Sequence, residues 1–334
     1  MAVNKIVTKV DGVVNKTINF NDLKAGLAAG SHTITVEAFN GATLVNSQTR
    51  NFTIAGSATY LLDLYPNAVF AFDFYKLNSA YTGACIRVRR ADNVEQDIGF
   101  SGDALDQSEL TTFANGQDCF RVTFYDQSGN GRNMTQTSAS NQPKIVSAGV
   151  ILKEGTKIVE QSDGVNDFSE IPALDSTTLN FTLFTINKLR TTGSDAIILE
   201  YSINTNNGTG RFSIVRNSTG LIDITNRVNN GYSIKNTPEQ MDVFSLYTFV
   251  INRDIADGEV IRKNGINKTL TTSRDDGTTQ GVLAQIEPMY ADARSGASYG
   301  PSPSNKAAMV AYATDQSANL AGIENKINEN YNLY

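Results

Sequence analysis

The sequence predicts an all-β fold, an antiparallel sandwich with a few short helices. From Cys119 to Ala313 the chain alternates between short runs of β-branched and aromatic residues and turns built from Asn-Gly, Asp-Gly and Gly-Thr-Gly. No amphipathic helix lies between these runs, as it would in a parallel α/β sheet. With 334 residues, 40% of them hydrophobic, the chain has room for two domains or for one large sandwich with an appendage.

Residues 1–56 are predicted to form a small β-rich attachment unit. Thr33–Phe39 alternates between polar and apolar residues, and a second run follows it. Asn40-Gly41 lies between the two runs, and Asn-Gly in that position is a strong hairpin signal. Leu27–Thr53 resembles the last strands of an immunoglobulin-like or fibronectin type III module, but a complete module needs about 100 residues. The unit is therefore either a truncated sandwich or a sheet that pairs with a partner chain.

Residues 57–334 form the larger predicted domain, after a linker of small residues at Ala55–Thr59. A first helix is expected near residues 70–80, where aromatic and apolar residues recur at near-helical spacing. Phe70–Phe74 also alternates like a strand, so this segment has a second interpretation.

Two further helices are expected at 106–115 and 317–331. Asp106 or Ser108 can cap the first of them, and Gly116 stands where a left-handed residue ends a helix. In the second, one apolar residue per turn marks a single buried face.

The segment Leu77–Gly131 carries a distinctive pattern. It begins with LNSAYTGACIRVRR and ends in YDQSGNG, which leads into a polar TQ segment. Together with the SDGVNDF turn at Ser162–Phe168, this resembles the catalytic module of arabinofuranosidase B-type glycosidases over about residues 60–334. It is also similar to the concanavalin-like, laminin G-like domains of phage tail and head-fibre proteins. The resemblance implies a jelly-roll sandwich.

The resemblance also implies a chemistry that the residues do not fully support. These glycosidases use two carboxylates about 5 Å apart, one as nucleophile and one as acid/base. The family's nucleophile follows a vicinal cysteine pair, and the best counterpart here is Asp195–Thr205. Ile197 and Ile198 take the cysteine positions, and Thr205 takes that of the nucleophile. We therefore expect no arabinofuranosidase activity.

The family's acid/base aspartate lies in a late glycine-rich loop, which corresponds here to Met289–Gly296. Asp292 is the candidate acid/base. Glu200 is a possible substitute nucleophile, although within its strand it is expected to point outward. One carboxylate without its partner cannot perform a double displacement.

Two functions remain open. The first is a non-catalytic virion structural or adhesion protein, of the phage tail or head-fibre type, with a jelly-roll that binds a glycan or receptor. The absence of a secretory signal pattern at the N-terminus, the missing nucleophile and the recurrence of this fold in phage fibres favour it. Its expected partners are other virion proteins, copies of itself and a host surface glycan. The alternative is a secreted or cell-surface glycoside hydrolase acting on arabinofuranosides or a related glycan.

Tyrosines are the candidates for sugar binding, because the chain has 13 of them and no tryptophan. Tyr232, Tyr290 and Tyr299 lie in or beside stretches rich in glycine and asparagine. Arg294 is included with them as a ligand-binding candidate.

The YDQSGNG segment imitates the first half of a calcium loop. Oxygen-bearing side chains alternate there and a glycine follows, at Asp126, Ser128, Asn130 and Gly131. The twelfth position of the loop, where calcium requires a bidentate glutamate, is Thr137. We therefore interpret the segment as a structural turn without metal.

Other classes of function lack support in the sequence. The net charge is −6 and the pI about 5.0, with no basic cluster beyond Arg87–Arg90, so nucleic acid is not an expected partner. No apolar run reaches the roughly 18 residues that membrane insertion requires. No nucleotide-binding motif is present, and no cofactor or metal is predicted.

Cysteine and histidine chemistry is equally restricted. The chain contains Cys85, Cys119 and one histidine, His32. The cysteines are expected to be two buried thiols, with a disulfide between neighbouring strands as the alternative. His32 lies in the N-terminal alternating run and is assigned a structural role.

Overall fold

The fold is described from a computed structural model of the chain. It describes residues 5–10, 13–15, 30–40, 42–54, 60–174, 180–190, 195–201, 211–228, 231–239, 242–252, 255, 257–275, 288–292 and 302–334. The chain divides into two compact units, Met1–Thr59 and Tyr60–Tyr334.

The described residues of the first unit form a four-stranded antiparallel sheet. Its strands are β1 (Lys5–Val10), β2 (Val13–Asn15), β3 (Gly30–Asn40) and β4 (Thr43–Ile54). They lie in the order β2-β1-β3-β4, and β3 and β4 form the predicted hairpin, with Asn40 opposite Thr43. β4 is an edge strand, and nearly all of its side chains from Thr43 to Asn51 are exposed.

The second unit contains most of the strands and all of the described helices. Strands β5 to β17 are Phe70–Asp73, Ile86–Arg90, Glu95–Ile98, Phe100–Ser101, Ala104–Leu105, Cys119–Phe124, Met134–Thr135, Lys144–Ser147, Val150–Ile151, Lys153–Glu154, Lys157–Ile158, Glu160–Ser162 and Ser169–Ile171. Strands β18 to β28 are Asn180–Leu189, Ala196–Tyr201, Arg211–Arg216, Leu221–Val228, Gly231–Pro238, Ser245–Asn252, Glu259–Lys263, Ile266–Asn267, Thr271–Asp275, Met289–Ala291 and Ser304–Tyr312. The helices are α1 (Leu61–Leu64), α2 (Gln107–Ala114) and α3 (Leu320–Tyr331), and a 3-10 turn spans Ala139–Asn141.

The predicted antiparallel sandwich is confirmed. One row of antiparallel strands runs β5-β28-β18-β23-β24. A second row runs β11-β17-β27-β19-β20-β21-β22-β26. The fully buried rings of Phe181 in the first row and Phe212 in the second lie 4.8 Å apart between centroids. The core therefore lies between the two rows.

The helix expected at 70–80 is wrong, because Phe70–Asp73 is a strand paired with β28. All four residues of this strand are buried. Both of its faces are covered, and a strand covered on both faces has an apolar pattern that periodicity alone does not separate from a helix.

The two later helices are confirmed with small changes at their ends. Asp106 caps α2 by accepting a hydrogen bond from the Glu109 backbone N–H, and the left-handed residue that ends it is Asn115. Helix α3 begins at Leu320, after the predicted start. Its buried Glu324 accepts hydrogen bonds from Thr248 at 2.7 Å and Arg262 at 2.8 Å, which attaches the helix to β23 and β24.

Cys85 and Cys119 are both buried and are not joined to each other. Burial raises the pKa of the Cys119 thiol to about 11 and that of Cys85 well above its ordinary value. Both side chains are therefore apolar core groups at neutral pH. Among the described residues, no helix is long and apolar enough to cross a bilayer.

Candidate functional site

Asp292, the predicted acid/base, lies immediately after β27 with a left-handed backbone (φ +67°). Its carboxylate is buried and accepts a hydrogen bond from the Lys306 ammonium at 2.5 Å. The hydroxyls of Ser162 and Ser304 donate to it at 3.1 Å each. These donors lie on two paired strands, β16 and β28, where Ser162 is directly opposite Ser304.

Asp292 belongs to a larger buried group, the interior ion network of Arg121, Glu160, Asp292 and Lys306. Each of these side chains is at most 1% exposed. Arg121 donates to both oxygens of Glu160, at 2.6 and 3.2 Å, and Lys306 lies 3.9 Å from Glu160. Two cations and two anions leave the network without net charge, which is the condition under which buried ions are tolerated.

The environment of the network also affects a nearby carboxyl group. Burial, and then the charges of Asp163, Asp292 and Glu160, raise the pKa of Asp167 to about 7. This carboxyl therefore keeps its proton to a higher pH than an exposed aspartate does.

Glu200, the possible nucleophile, lies in the middle of β19. Its neighbours Leu199 and Tyr201 pack in the core, and the Tyr201 ring lies 5.7 Å from that of Phe212. Because side chains alternate along a strand, Glu200 projects from the opposite face. Although Glu200 points away from the core face of the strand, it is fully buried, like every residue of β19.

Asp292 and Glu200 therefore do not face a common site as a catalytic pair would. The described contacts of the Asp292 carboxylate are Lys306, Ser162 and Ser304, inside the sandwich. Glu200 projects away from that interior. A retaining mechanism requires both carboxylates on one side of a single sugar-binding site.

The register of the second row places other polar residues beside Glu200. Directly opposite partners in an antiparallel pair share a face. The resulting line of residues, here called the outer row, is Thr135, Glu170, Tyr290, Glu200, Ser213 and Thr225.

The outer row combines carboxylates, hydroxyls and one aromatic ring. Glu200 and Ser213 are fully buried, whereas Thr135, Glu170, Tyr290 and Thr225 are partly exposed. Tyr290 lies between two carboxylates and is half-buried, with its ring 6.3 Å from that of Phe168. Carboxylates and hydroxyls bind sugar hydroxyls, and an aromatic ring packs on the apolar face of a sugar. Sequence analysis identified Tyr290 and Glu200 separately, but their adjacency depends on a register between strands about ninety residues apart in the chain.

The side chains of the other predicted ligand-binding residues lie outside the described part of the chain. Tyr232 lies in β22, opposite Arg227, and its side chain is outside the described residues. Arg294, Tyr299 and Thr205 also lie outside them.

The YDQSGNG segment is a hydrogen-bonded turn. The Asp126 carboxylate, 4% exposed, accepts from the backbone N–H groups of Ala71, Ser128 and Arg132 at 2.9 to 3.0 Å. The Ser128 hydroxyl donates to it at 2.8 Å, and the Asn130 amide donates to the Ala68 carbonyl at 2.8 Å. The turn thereby attaches β10 to the region of β5. No group of three or more potential metal-ligating residues occurs in the described part of the chain.

Comparison with known proteins agrees with this fold. The family model described as alpha-L-arabinofuranosidase B, catalytic, matches residues 69–153. That range contains the Asp126 turn but neither Glu200 nor Asp292. No curated protein matches the chain.

Solved structures give a similar result. A GH54 α-L-arabinofuranosidase soaked with a cyclic sulfate inhibitor is 14% identical, with a TM-score of 0.57 over 80% of this chain. An arabinofuranosidase complexed with arabinofuranosyl-alpha-1,2-xylobiose is also 14% identical, with a TM-score of 0.50 over 80%. The chain spans 64% of each of those chains. At this identity the likeness shows a shared jelly-roll fold.

Proposed function

We propose that this protein is a non-catalytic glycan-binding adhesion protein. The observation that carries the proposal is the position of Asp292. Its carboxylate is bound to Lys306 inside the sandwich, so it is a structural counterion and cannot donate a proton to a leaving group in the outer row. The outer row keeps the polar and aromatic groups of a sugar site without the acid/base of a glycosidase.

Binding and hydrolysis are tested on the same ligand. We expect the protein to bind arabinofuranosyl oligosaccharides in calorimetry and to release nothing above background from a chromogenic arabinofuranoside. Glu170→Gln should weaken binding about tenfold, because it removes the charged hydrogen-bond acceptor of the outer row that is partly exposed. The matched control is Glu95→Gln, which changes an exposed carboxylate on β7.

The alternative, a glycoside hydrolase, makes the opposite prediction. The glycoside hydrolase function would be established if the protein turns over the chromogenic substrate, Glu200→Gln abolishes that turnover and Glu95→Gln leaves it unchanged. Absence of both binding and turnover would contradict both functions.

We also propose a virion location, with the first unit attaching the protein to an assembly. The exposed edge strand β4 supports this, since such edges are stable when another chain pairs with them. Antibody labelling of purified particles from the source tests the location. Labelling at a fibre or capsid is expected, and labelling restricted to a cell surface or culture medium would contradict it.

A further inference from the structure

A cleft of about 460 Å³ lies in the second unit. It is bounded by Lys76, by Tyr81–Ala84 and by the stretch Gly99, Phe100 and Gly102 beside the β8–β9 hairpin. Its volume is within the range of small-molecule sites, which is about 300–1,000 Å³. It shares no residue with the outer row or with the interior ion network.

One wall of the cleft is aromatic and rigid. The Tyr81 hydroxyl donates to the Ala84 carbonyl at 2.8 Å, and its ring meets the Phe100 ring edge-on at 6.4 Å. Gly83 is required for this arrangement, because a Cβ there would lie 2.6 Å from the Tyr81 hydroxyl. The wall therefore presents a fixed ring surface, as sites for sugar rings do.

The glycines of the cleft leave room beside the rings. A Cβ built on Gly99 or Gly102 meets no atom within 4 Å, and the Gly99 carbonyl accepts a hydrogen bond from the Asp106 N–H at 3.0 Å. The cleft therefore has space for a ligand ring next to Phe100.

The cleft also carries one cation and no carboxylate. Lys76 forms no ion pair with any described residue, and its ammonium lies 5.6 Å from the Tyr60 ring centroid. Asp103 is close by: its backbone carbonyl accepts from the Lys76 N–H, and its carboxylate accepts from the Tyr60 hydroxyl at 2.7 Å. Lys76 is the charged residue among those that line the cleft.

The geometry points to a second glycan site, specific for a sugar that carries a carboxylate, such as a uronic acid. The sugar ring packs on Tyr81 and Phe100 in the space that Gly99 and Gly102 leave, and its carboxylate binds Lys76. This inference rests on the proposed function only in taking a glycan as the ligand class.

The test uses the full-length chain, with glucuronic acid oligosaccharides as probe and neutral glucose oligosaccharides of equal length as control ligand. We expect calorimetry to show binding of the acidic probe that weakens as salt increases. Lys76→Gln, which removes the charge and keeps most of the stem, should weaken it about tenfold or more. Gly99→Leu, at an open position, should weaken it by filling the cleft.

Two control variants separate this site from other surfaces. Lys153→Gln removes an exposed lysine on β14, and Glu200→Gln alters the outer row; neither should change binding of the acidic probe. Equal effects of Lys76→Gln and Lys153→Gln would overturn the inference, as would failure of the wild-type chain to bind the probe. If arabinofuranosyl ligands still bind in that case, the proposed function stands and only the second site is lost.

Discussion

Replacing Asp292 by asparagine separates a structural carboxylate from a catalytic one. The change keeps the size of the side chain and removes its charge. The buried Lys306 ammonium then faces only Glu160, 3.9 Å away and already bound by Arg121. The interior ion network acquires one net positive charge with almost no access to water.

The magnitude follows from known costs. Removing one partner of a buried ion pair costs about 3–5 kcal/mol. The asparagine oxygen still accepts one hydrogen bond, which contributes about 1 kcal/mol. We therefore expect Asp292→Asn to lower the free energy of unfolding by about 2–4 kcal/mol. Lys306→Met should cost a similar amount, and the double variant should be more stable than either single variant because no ion is left stranded.

Urea unfolding followed by far-ultraviolet circular dichroism and tyrosine fluorescence measures these values, since the chain has tyrosine but no tryptophan. The matched control is Arg87→Met, which breaks the exposed pair with Asp97. Both of those side chains are 42% exposed, so the loss should be below about 1 kcal/mol. If Asp292→Asn changes stability by less than about 0.5 kcal/mol, or increases it, the carboxylate is not structural and the reasoning fails.

Three further predictions concern other parts of the second unit and are tested by the same unfolding measurements. Asp126→Ala should lower the free energy of unfolding by about 3 kcal/mol, because a buried carboxylate with four described hydrogen-bond donors is lost. Millimolar calcium should not change the thermal unfolding midpoint of the wild-type chain. A rise of several degrees would contradict the metal-free turn. Burial raises the pKa of Asp73 from 3.8 to about 7, against an opposing hydrogen bond from Tyr331. The folded state therefore holds a proton that the unfolded state releases. As pH rises from about 4 to about 7, this carboxyl should lower the free energy of unfolding by up to about 4 kcal/mol. Asp73→Asn should flatten that pH dependence, and an unchanged slope would refute the role of Asp73. Asp106→Ala should lower the free energy of unfolding by about 1 kcal/mol, because the Glu109 N–H loses its cap. Asp106→Asn still accepts a hydrogen bond and should cost less. Equal losses in the two variants would argue against the cap.

Local patterns in the sequence were sufficient for much of the fold. Alternation and turn residues predicted the antiparallel strands, and Asp106 was one of two cap candidates because capping depends on residues three positions apart. The segment at 70–80 was misassigned because its apolar residues also recur at near-helical spacing, and periodicity does not decide between a helix and a strand buried on both faces. Burial of Glu200 was missed because a charged residue in an apolar run gives no local sign of what covers it.

The candidate site was less predictable, because it depends on register between distant strands. The pairing of Glu160 opposite Lys306 brings together residues far apart in the chain. No local pattern specifies that pairing, so sequence analysis could name Asp292 but could not find its counterion. The outer row has the same origin, since Glu170, Tyr290 and Glu200 become neighbours only through three strands from separate parts of the chain.

The pairing of β5 with β28 has a consequence for biosynthesis. Ala71 lies opposite Val310, so the first strand of the second unit receives its partner only when residues near 310 have left the ribosome. At about 5–20 residues per second, that delay is roughly 12–50 s. During this interval the Phe70 and Phe72 side chains and the edge of β5 have no native partner in that strand. We expect the nascent chain to depend on a holding chaperone, and C-terminal truncations that remove β28 to aggregate rather than fold.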